Sequence, residues 1–374
     1  MVLPLQGLLV IAVEHAAAAP FASSRLADAG ARVIKIERKS GDFARGYDSA
    51  IKGQSSYFVW LNRGKESVVL DFAEPADMVL LRRMITRADV LIQNLGPGAA
   101  ERAGIGWREM RAANPRLITC DITGYGEVGP YAKMRAYDLL VQAESGIASI
   151  TGTPHAPGRI GVSACDIGTG MYAHAAILEA LLQRERTGEG SAIHVSLFGS
   201  MTDWMAIPLL HYDYAGTIWP RVGLSHPLIA PYGAFNVSGG AVILIGVQND
   251  AEWLRFARDV LLAPDLAERK IYERNVDRVQ NREALDSEIA RIMSTMTFDE
   301  AARRLAAAQI AHAAVNSVKE VSEHKQLRRS TVQTPSGDIE IVAPPAEFRN
   351  QPRALGPVPA LGEHTAKIRR EFSE

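Results

Sequence analysis

Cysteine is nearly missing from this chain of 374 residues, which holds only Cys120 and Cys165. Two thiols give neither a disulfide framework nor a zinc spacing, so no metal site is expected. Long apolar runs are missing too. No stretch reaches the roughly eighteen uninterrupted apolar residues of a membrane span. The N-terminus lacks a basic segment followed by a signal-type apolar run, so a cytoplasmic location is expected. An excess of one charge is also lacking: 41 Lys and Arg stand against 42 Asp and Glu, for a net charge of -1. Bulk electrostatics therefore recruits neither nucleic acid nor a membrane surface, and an anionic ligand must meet a local basic cluster. The first strand-to-helix turn lacks Gly-x-Gly-x-x-Gly and reads His15-Ala-Ala-Ala-Ala-Pro20. That removes the dinucleotide fingerprint.

What is present is ordinary globular material, 47% hydrophobic, long enough for two domains. Leu8 to Val13 and Val33 to Ile36 read as buried strands flanking a helical stretch through Leu26 to Gly30. Further strands are expected at Ser67 to Asp71, Asp89 to Gln93, Leu117 to Ile122 and Ile193 to Leu197, with helices between them. Serial strand–helix units imply an α/β, doubly wound sheet. Met201 to Leu210 reads as one apolar helix, and Arg221 to Phe235 as a Gly-, Pro- and aromatic-rich linker. Residues 1–215 and 325–374 are assigned to a large Rossmann-like domain, the Pro-rich tail packing back onto it. Residues 216–324 are assigned to the linker and a smaller α+β domain.

The chain is organised around Ala164-Cys165-Asp166-Ile167-Gly168-Thr169-Gly170. Met171, Ala175, Leu178 and Leu182 recur at helical spacing and Thr187-Gly188 supplies a stop, predicting about five turns of helix. Asp166 then falls at or beside the N-cap, where it either caps orphan N–H groups or acts as a nucleophile. On the second reading the helix dipole keeps it ionised against desolvation. Gly168 and Gly170 are expected to let a ligand approach. Cys165 reads as a small buried residue. His15 ends the first strand, where ligands bind in open α/β sheets, and is either structural or functional. Lys35, Arg38, Lys39 and Arg45 form either a solvated basic edge or a phosphate clamp.

These pieces together resemble the class III CoA-transferases, a family that includes carnitine and formyl-CoA transferases and the 2-methylacyl-CoA racemases. The resemblance is carried by Val33-Ile-Lys-Ile-Glu-Arg38, Asn94-Leu-Gly-Pro-Gly98, Tyr137-Asp138, the Asp166 turn, Arg186-Thr-Gly-Glu-Gly190 and Leu361-Gly-Glu-His-Thr365. It implies a Rossmann-like large domain, a small domain on long linkers and an interlocked homodimer. It implies Asp166 as the nucleophile, with Cys165 in place of the usual glycine. By motif position His15, Arg38, Leu70, Asn94, Arg102, Arg135 and Tyr137 would hold CoA or line its acyl arm. Acyl-CoA is then a substrate, with no tightly bound cofactor. Ala17 stands where the family often has a polar residue. The glycine-rich loop of formyl-CoA transferases has no counterpart here, which argues against formyl or oxalyl substrates.

The implied reaction moves CoA between carboxylic acids through an aspartyl anhydride and an aspartyl-CoA thioester. Trp204 to Leu210, His211-Tyr-Asp-Tyr214 and Arg221 to Phe235 resemble the branch acting on small dicarboxylates such as mesaconate, itaconate, citramalate or succinate. Arg45, Arg159, Arg221 and His226 are candidates for the distal carboxylate. The alternatives are a racemase and a non-catalytic CoA-binding protein. Family racemases carry Gly-His-Asp where this chain has Ala136-Tyr137-Asp138, and tyrosine is a poor base at neutral pH.

Overall fold

The apolar run Leu9–Val13 forms strand β1, and the alanine-rich Ala18–Asp28 forms helix α1. Then come β2 (Arg32–Glu37), α2 (Ser56–Asn62), β3 (Lys65–Val69), α3 (Pro75–Thr86) and β4 (Val90–Gln93). They are followed by α4 (Trp107–Ala113), β5 (Ile118–Thr123), α5 (Asp138–Glu144), α6 (Ala164–Thr187) and β6 (Ala192–Ser196). This computed structural model describes residues 2–349 and 353–373. The six strands form one sheet in the order β3-β2-β1-β4-β5-β6, every pair parallel. The central strands are apolar throughout because helices cover both faces. On one face Ile11, Ile34, Val68 and Leu91 meet Leu81, Met84 and Ile85. On the other, α1 packs against α6 so closely that a Cβ on Gly170 would sit 2.7 Å from both Ala18 O and Phe21 Cβ.

Two compact units emerge. The first comprises the chain up to Ala148, Arg159–Leu209 and the chain from Arg328 on; the second comprises Ser149–Gly158 and Leu210–Leu327. Helix α7 (Leu197–Trp204) ends before α8 (Ala206–Ala215) begins, where a single helix was expected. Pro208 explains the break, since its ring excludes the carbonyl four residues back. The sequence border at residue 215 thus falls at the end of α8. The second unit holds an antiparallel sheet of β7 (Tyr232–Asn236), β8 (Val242–Gly246) and β9 (Ala311–Ala314), with β8 central. Its core is Trp253, Phe256, Tyr272, Leu285, Ile289, Met293 and Leu305. The expected linker therefore ends inside a strand: Tyr232 to Phe235 pair with β8. Among the described residues no helix is long and apolar enough to cross a membrane.

The tail covers the sheet's open edge. β3 is the edge strand, and its outward N–H groups need partners. His364 Nδ1 accepts from Ser67 N at 3.2 Å and Thr365 Oγ1 from Val69 N at 3.0 Å. Gly362 N donates to Ser67 Oγ at 2.8 Å. The Leu-Gly-Glu-His-Thr motif is thus an edge clasp, followed by a helix whose Ile368 and Phe372 enter the sheet core. A hairpin of Arg329–Val332 and Ile339–Val342, which the sequence reading left without structure, packs on Phe58 and Val59.

Behind the carboxyl ends of β1 and β2 lies a fully buried charge cluster. Glu14 accepts from Lys65 Nζ at 2.6 Å and pairs with Lys35 at 3.5 Å, while Lys35 Nζ reaches Asp42 at 2.8 Å. Lys35 therefore belongs neither to a solvated edge nor to a phosphate clamp. Despite desolvation, the two lysines hold Glu14 below the usual carboxylate range. Burial presses Lys65 down to about 8. Removing one member leaves uncompensated charge in the interior. Glu14→Ala is expected to cost about 3–5 kcal/mol of stability, read by urea unfolding; a loss under about 1 kcal/mol would contradict this account.

Candidate active site

Strand order reverses between β1 and β4, and in such sheets the crevice at the strands' carboxyl ends binds ligands. His15 follows β1 and Asn94 follows β4, and they are joined there. Asn94 Oδ1 accepts from His15 N at 3.0 Å, and its Nδ2 donates to His15 O at 2.9 Å. Asp42 Oδ1 accepts from Ala16 N at 3.1 Å, holding Ala16 at φ 63°. Burial lowers the His15 pKa, favouring the neutral ring, and its buried Nδ1 has no hydrogen-bond partner. From His15 an aromatic row runs through Phe43 (5.0 Å), Tyr47 (5.8 Å) and Tyr57 (5.5 Å). The Tyr57 hydroxyl then bonds Ser163 Oγ at 2.8 Å.

Ser163 is the N-cap of α6, and its hydroxyl makes no capping bond. The cap comes from elsewhere in the chain. Asp138, first residue of α5, accepts through Oδ1 from Cys165 N at 2.8 Å and from Asp166 N at 3.2 Å. Its Oδ2 accepts from Gln142 at 2.7 Å, and Gln142 also holds Ile160 N and Val162 O. Asp166 is therefore in the first turn and does not cap it, which removes one of its two sequence readings; Asp138 does that work. The helix runs 24 residues, longer than the five turns expected, to Gly188 at φ 79°.

Asp166 is half-buried. Desolvation first, and the Asp138 carboxyl second, raise its pKa to about 7. The helix dipole does not win, contrary to the sequence expectation, because burial outweighs it and the Asp138 cap adds its own negative charge. Burial pushes the neighbouring Cys165 thiol far up, so it stays protonated and inert. The glycines serve packing, not ligand approach. A Cβ on Gly168 would meet Trp204 at 2.9 Å and Met201 at 3.0 Å, and Gly170 faces α1. Beside the first turn, Ser163 and Ile167 border a half-open groove of about 340 Å3 between α1, α2 and the loop residues Gly161 and Val162.

The remaining candidates divide. Arg38, Arg102, Arg135 and Tyr137 are exposed in the segments that follow β2, β4 and β5. Arg38 donates to Gly41 O, and Arg102 folds over Gly98 to reach Pro97 O. Leu70 follows β3, but its side chain is 1% exposed in the sheet core and its N–H bonds Glu37 O, leaving its carbonyl. Arg45 is not a free cation. It grips Glu37 through two nitrogens at 2.8 Å, donates to Pro359 O and lies 3.6 Å over Phe58. Arg221 spends its guanidinium on the carbonyls of Ser149, Thr153 and Pro154 within the second unit. His226 stacks on Tyr232 and accepts from Leu228 N, also in the second unit. Arg159 is exposed and donates to Gly161 O. Each of the four proposed carboxylate ligands thus has a partner of its own, Arg45 and Arg159 within the first unit and Arg221 and His226 within the second.

Sequence reasoning missed Asp138, Gln142, Asp42, Tyr47 and Tyr57. Asp138 lay inside a quoted motif, but its partner is 28 residues away, beyond any local capping pattern. Because Asp166 is protonated more readily folded than unfolded, its contribution to stability is greatest below about pH 4 and is lost as pH rises through about 7. Asp166→Asn is expected to raise stability by about 1–3 kcal/mol at pH 8 and by little at pH 3.5. Thermal melts at both pH values decide it; an equal gain at both would contradict the raised pKa.

A family model described as CoA-transferase family III matches residues 5–365. The acetyl-CoA:oxalate CoA-transferase of Acetobacter aceti is 34% identical, over 99% of this chain and 96% of that protein. The succinate–glutarate CoA-transferase of Agrobacterium fabrum is also 34% identical, over 99% and 96%. A solved CAIB/BAIF family protein from Brucella suis superimposes with a TM-score of 0.84 at 34% identity, covering 99% of both chains. The first of these is named for oxalate, a substrate the sequence reading argues against for this chain. Together with the parallel sheet, the His15–Asn94 clamp and the Asp166 turn, these matches show that the chain belongs to family III of the CoA-transferases.

Proposed function

We propose that the protein transfers CoA between carboxylic acids through covalent intermediates on Asp166. The observation that carries this reading is a desolvated, still reachable carboxyl group in the first turn of α6, its backbone fixed by Asp138. The donor thioester is attacked by Asp166, giving an anhydride and CoA thiolate. The thiolate attacks the Asp166 carbonyl, releasing the donor acid and leaving an aspartyl-CoA thioester. The acceptor carboxylate attacks that thioester, and the returning thiolate takes the acceptor acyl group and frees Asp166.

An anhydride hydrolyses in open water, so the site must exclude solvent while it exists. His15, Asn94, Arg38, Arg102, Arg135, Tyr137 and the Leu70 carbonyl are proposed to bind CoA along the sheet's carboxyl edge. Distant nucleotide contacts would then hold CoA while its sulfur leaves and returns. The relatives' names favour small dicarboxylates as one class of acid, and a homodimer is proposed as the working unit. A racemase needs an acid–base pair across the substrate's α-carbon, and the exposed Tyr137 at its motif position offers no such base.

Incubation with succinyl-CoA and a panel of dicarboxylates, followed by hydroxylamine trapping, is expected to modify the Asp166 peptide. Asp166→Ala is expected to abolish transfer with CoA affinity held within a few fold; transfer near the wild-type rate would refute the mechanism. The nucleophile must be ionised, so acylation should rise with pH to a plateau above about 7. Asp138→Asn removes the neighbouring negative charge and should move that midpoint lower; an unmoved midpoint contradicts the assignment.

A further inference from the structure

Two buried polar residues at the carboxyl ends of β4 and β5 have no role in the chemistry on Asp166. Gln93 and Asp121 are Cα partners across this parallel pair, so their side chains leave the same face of the sheet. Leu91, two residues before Gln93, enters the apolar core of Leu81, Met84 and Ile85 on that face. Gln93 is 6% exposed and Asp121 5%. The Gln93 amide nitrogen donates to the Asp121 carboxyl. Its Oε1 accepts from Leu95 N at 2.8 Å. Burial raises the Asp121 pKa to about 6, the bond from Gln93 opposes this, and the charged groups that act on it, Glu127 and Glu101, are both acidic.

Two apolar side chains would fill this place without burying a carboxyl group. What the polar pair adds is an amide fixed in one orientation. An amide presents an acceptor on one side and donors on the other, so an acceptor at position 121 turns the Gln93 oxygen toward Leu95 N. That bond shapes the turn Asn94-Leu-Gly-Pro-Gly98. Asn94 N bonds Val13 O at 3.3 Å, so the backbone on both sides of the Asn94 side chain is tied to the sheet. The same side chain clamps His15 N and His15 O. The turn then leads into the short helix Ala99–Arg102.

We infer that Asp121 is a positioning residue for the CoA site, orienting the Gln93 amide so that the Asn94 turn keeps the shape that receives CoA. This rests on the binding of CoA by His15 and Asn94 proposed above, and it places part of the control of affinity one strand away from the β1–β4 crevice. Protonated or ionised, the Asp121 carboxyl presents an acceptor oxygen to Gln93. An asparagine at this position does the same, and a leucine does not. With leucine the Gln93 nitrogen is left buried without a partner, and the amide turns or moves to find one.

Titration calorimetry of the full-length protein with CoA gives the dissociation constant separately from the number of competent sites. Loss of folded protein lowers the second and leaves the first. Asp121→Leu is expected to weaken CoA binding by about tenfold or more, and Gln93→Leu by about the same factor. Asp121→Asn is expected to restore binding to within about threefold of the unsubstituted protein. The double leucine variant is expected to bind no more weakly than either single one, since both cut the same path. Unaltered affinity in either leucine variant overturns the inference, and so does an asparagine variant as weak as the leucine one. Asn94→Ala separates the inference from the site it rests on. Weakened binding there with Asp121→Leu unaltered overturns the role of Asp121 alone. Unaltered binding in Asn94→Ala, or no CoA binding by the unsubstituted protein, overturns the proposed CoA site and the role of Asp121 together.

Discussion

The first turn of α6 is held by a carboxylate from another helix. Asp138 accepts the N–H groups of Cys165 and Asp166, and this one interaction fixes the geometry of the turn and adds a charge to the site that burial has already perturbed. A cap of this kind satisfies orphan donors that would otherwise need water. It also places a negative charge beside the neighbouring carboxyl, which desolvation has already weakened as an acid. The outcome is an aspartate near 7, more basic than a surface aspartate and correspondingly a stronger nucleophile when ionised. Such a group costs stability at neutral pH, a common feature of functional sites.

The ground beneath that turn is stiff for reasons that lie elsewhere. The Glu14–Lys35–Asp42–Lys65 cluster has no solvent to relax into, and Asp42 links it to the Ala16 and Ala44 backbone. The same residue therefore fixes the turn after β1 and the start of the segment carrying Phe43 and Tyr47. Gly170 brings α1 close against α6. The Leu-Gly-Glu-His-Thr clasp completes the sheet by covering β3.

Much of the fold could be read from the residues. Continuous apolar runs such as Leu9–Val13 marked buried parallel strands, because both faces of each strand are covered. The α7–α8 break and the Arg329–Val342 hairpin were harder, since one depended on a single proline and the other on packing against Phe58 and Val59. Asp166 stood out by its place before a long amphipathic pattern. Its environment did not, because a pKa depends on atoms contributed by segments far apart in sequence. The basic residues misled for the same reason. Lys35 and Arg45 look like an anion clamp in the sequence, yet each has an acidic partner supplied by the fold.

The central claim is that the oxygen atoms of Asp166 take part in the reaction. Each complete transfer through the anhydride and the aspartyl thioester moves one acceptor carboxylate oxygen onto Asp166. Turnover with an acceptor acid carrying heavy oxygen, followed by mass analysis of the peptide spanning Ala164 to Thr187, tests this directly. The account predicts heavy oxygen in the Asp166 side chain after multiple turnovers. Transfer that leaves this peptide at its natural mass would contradict it.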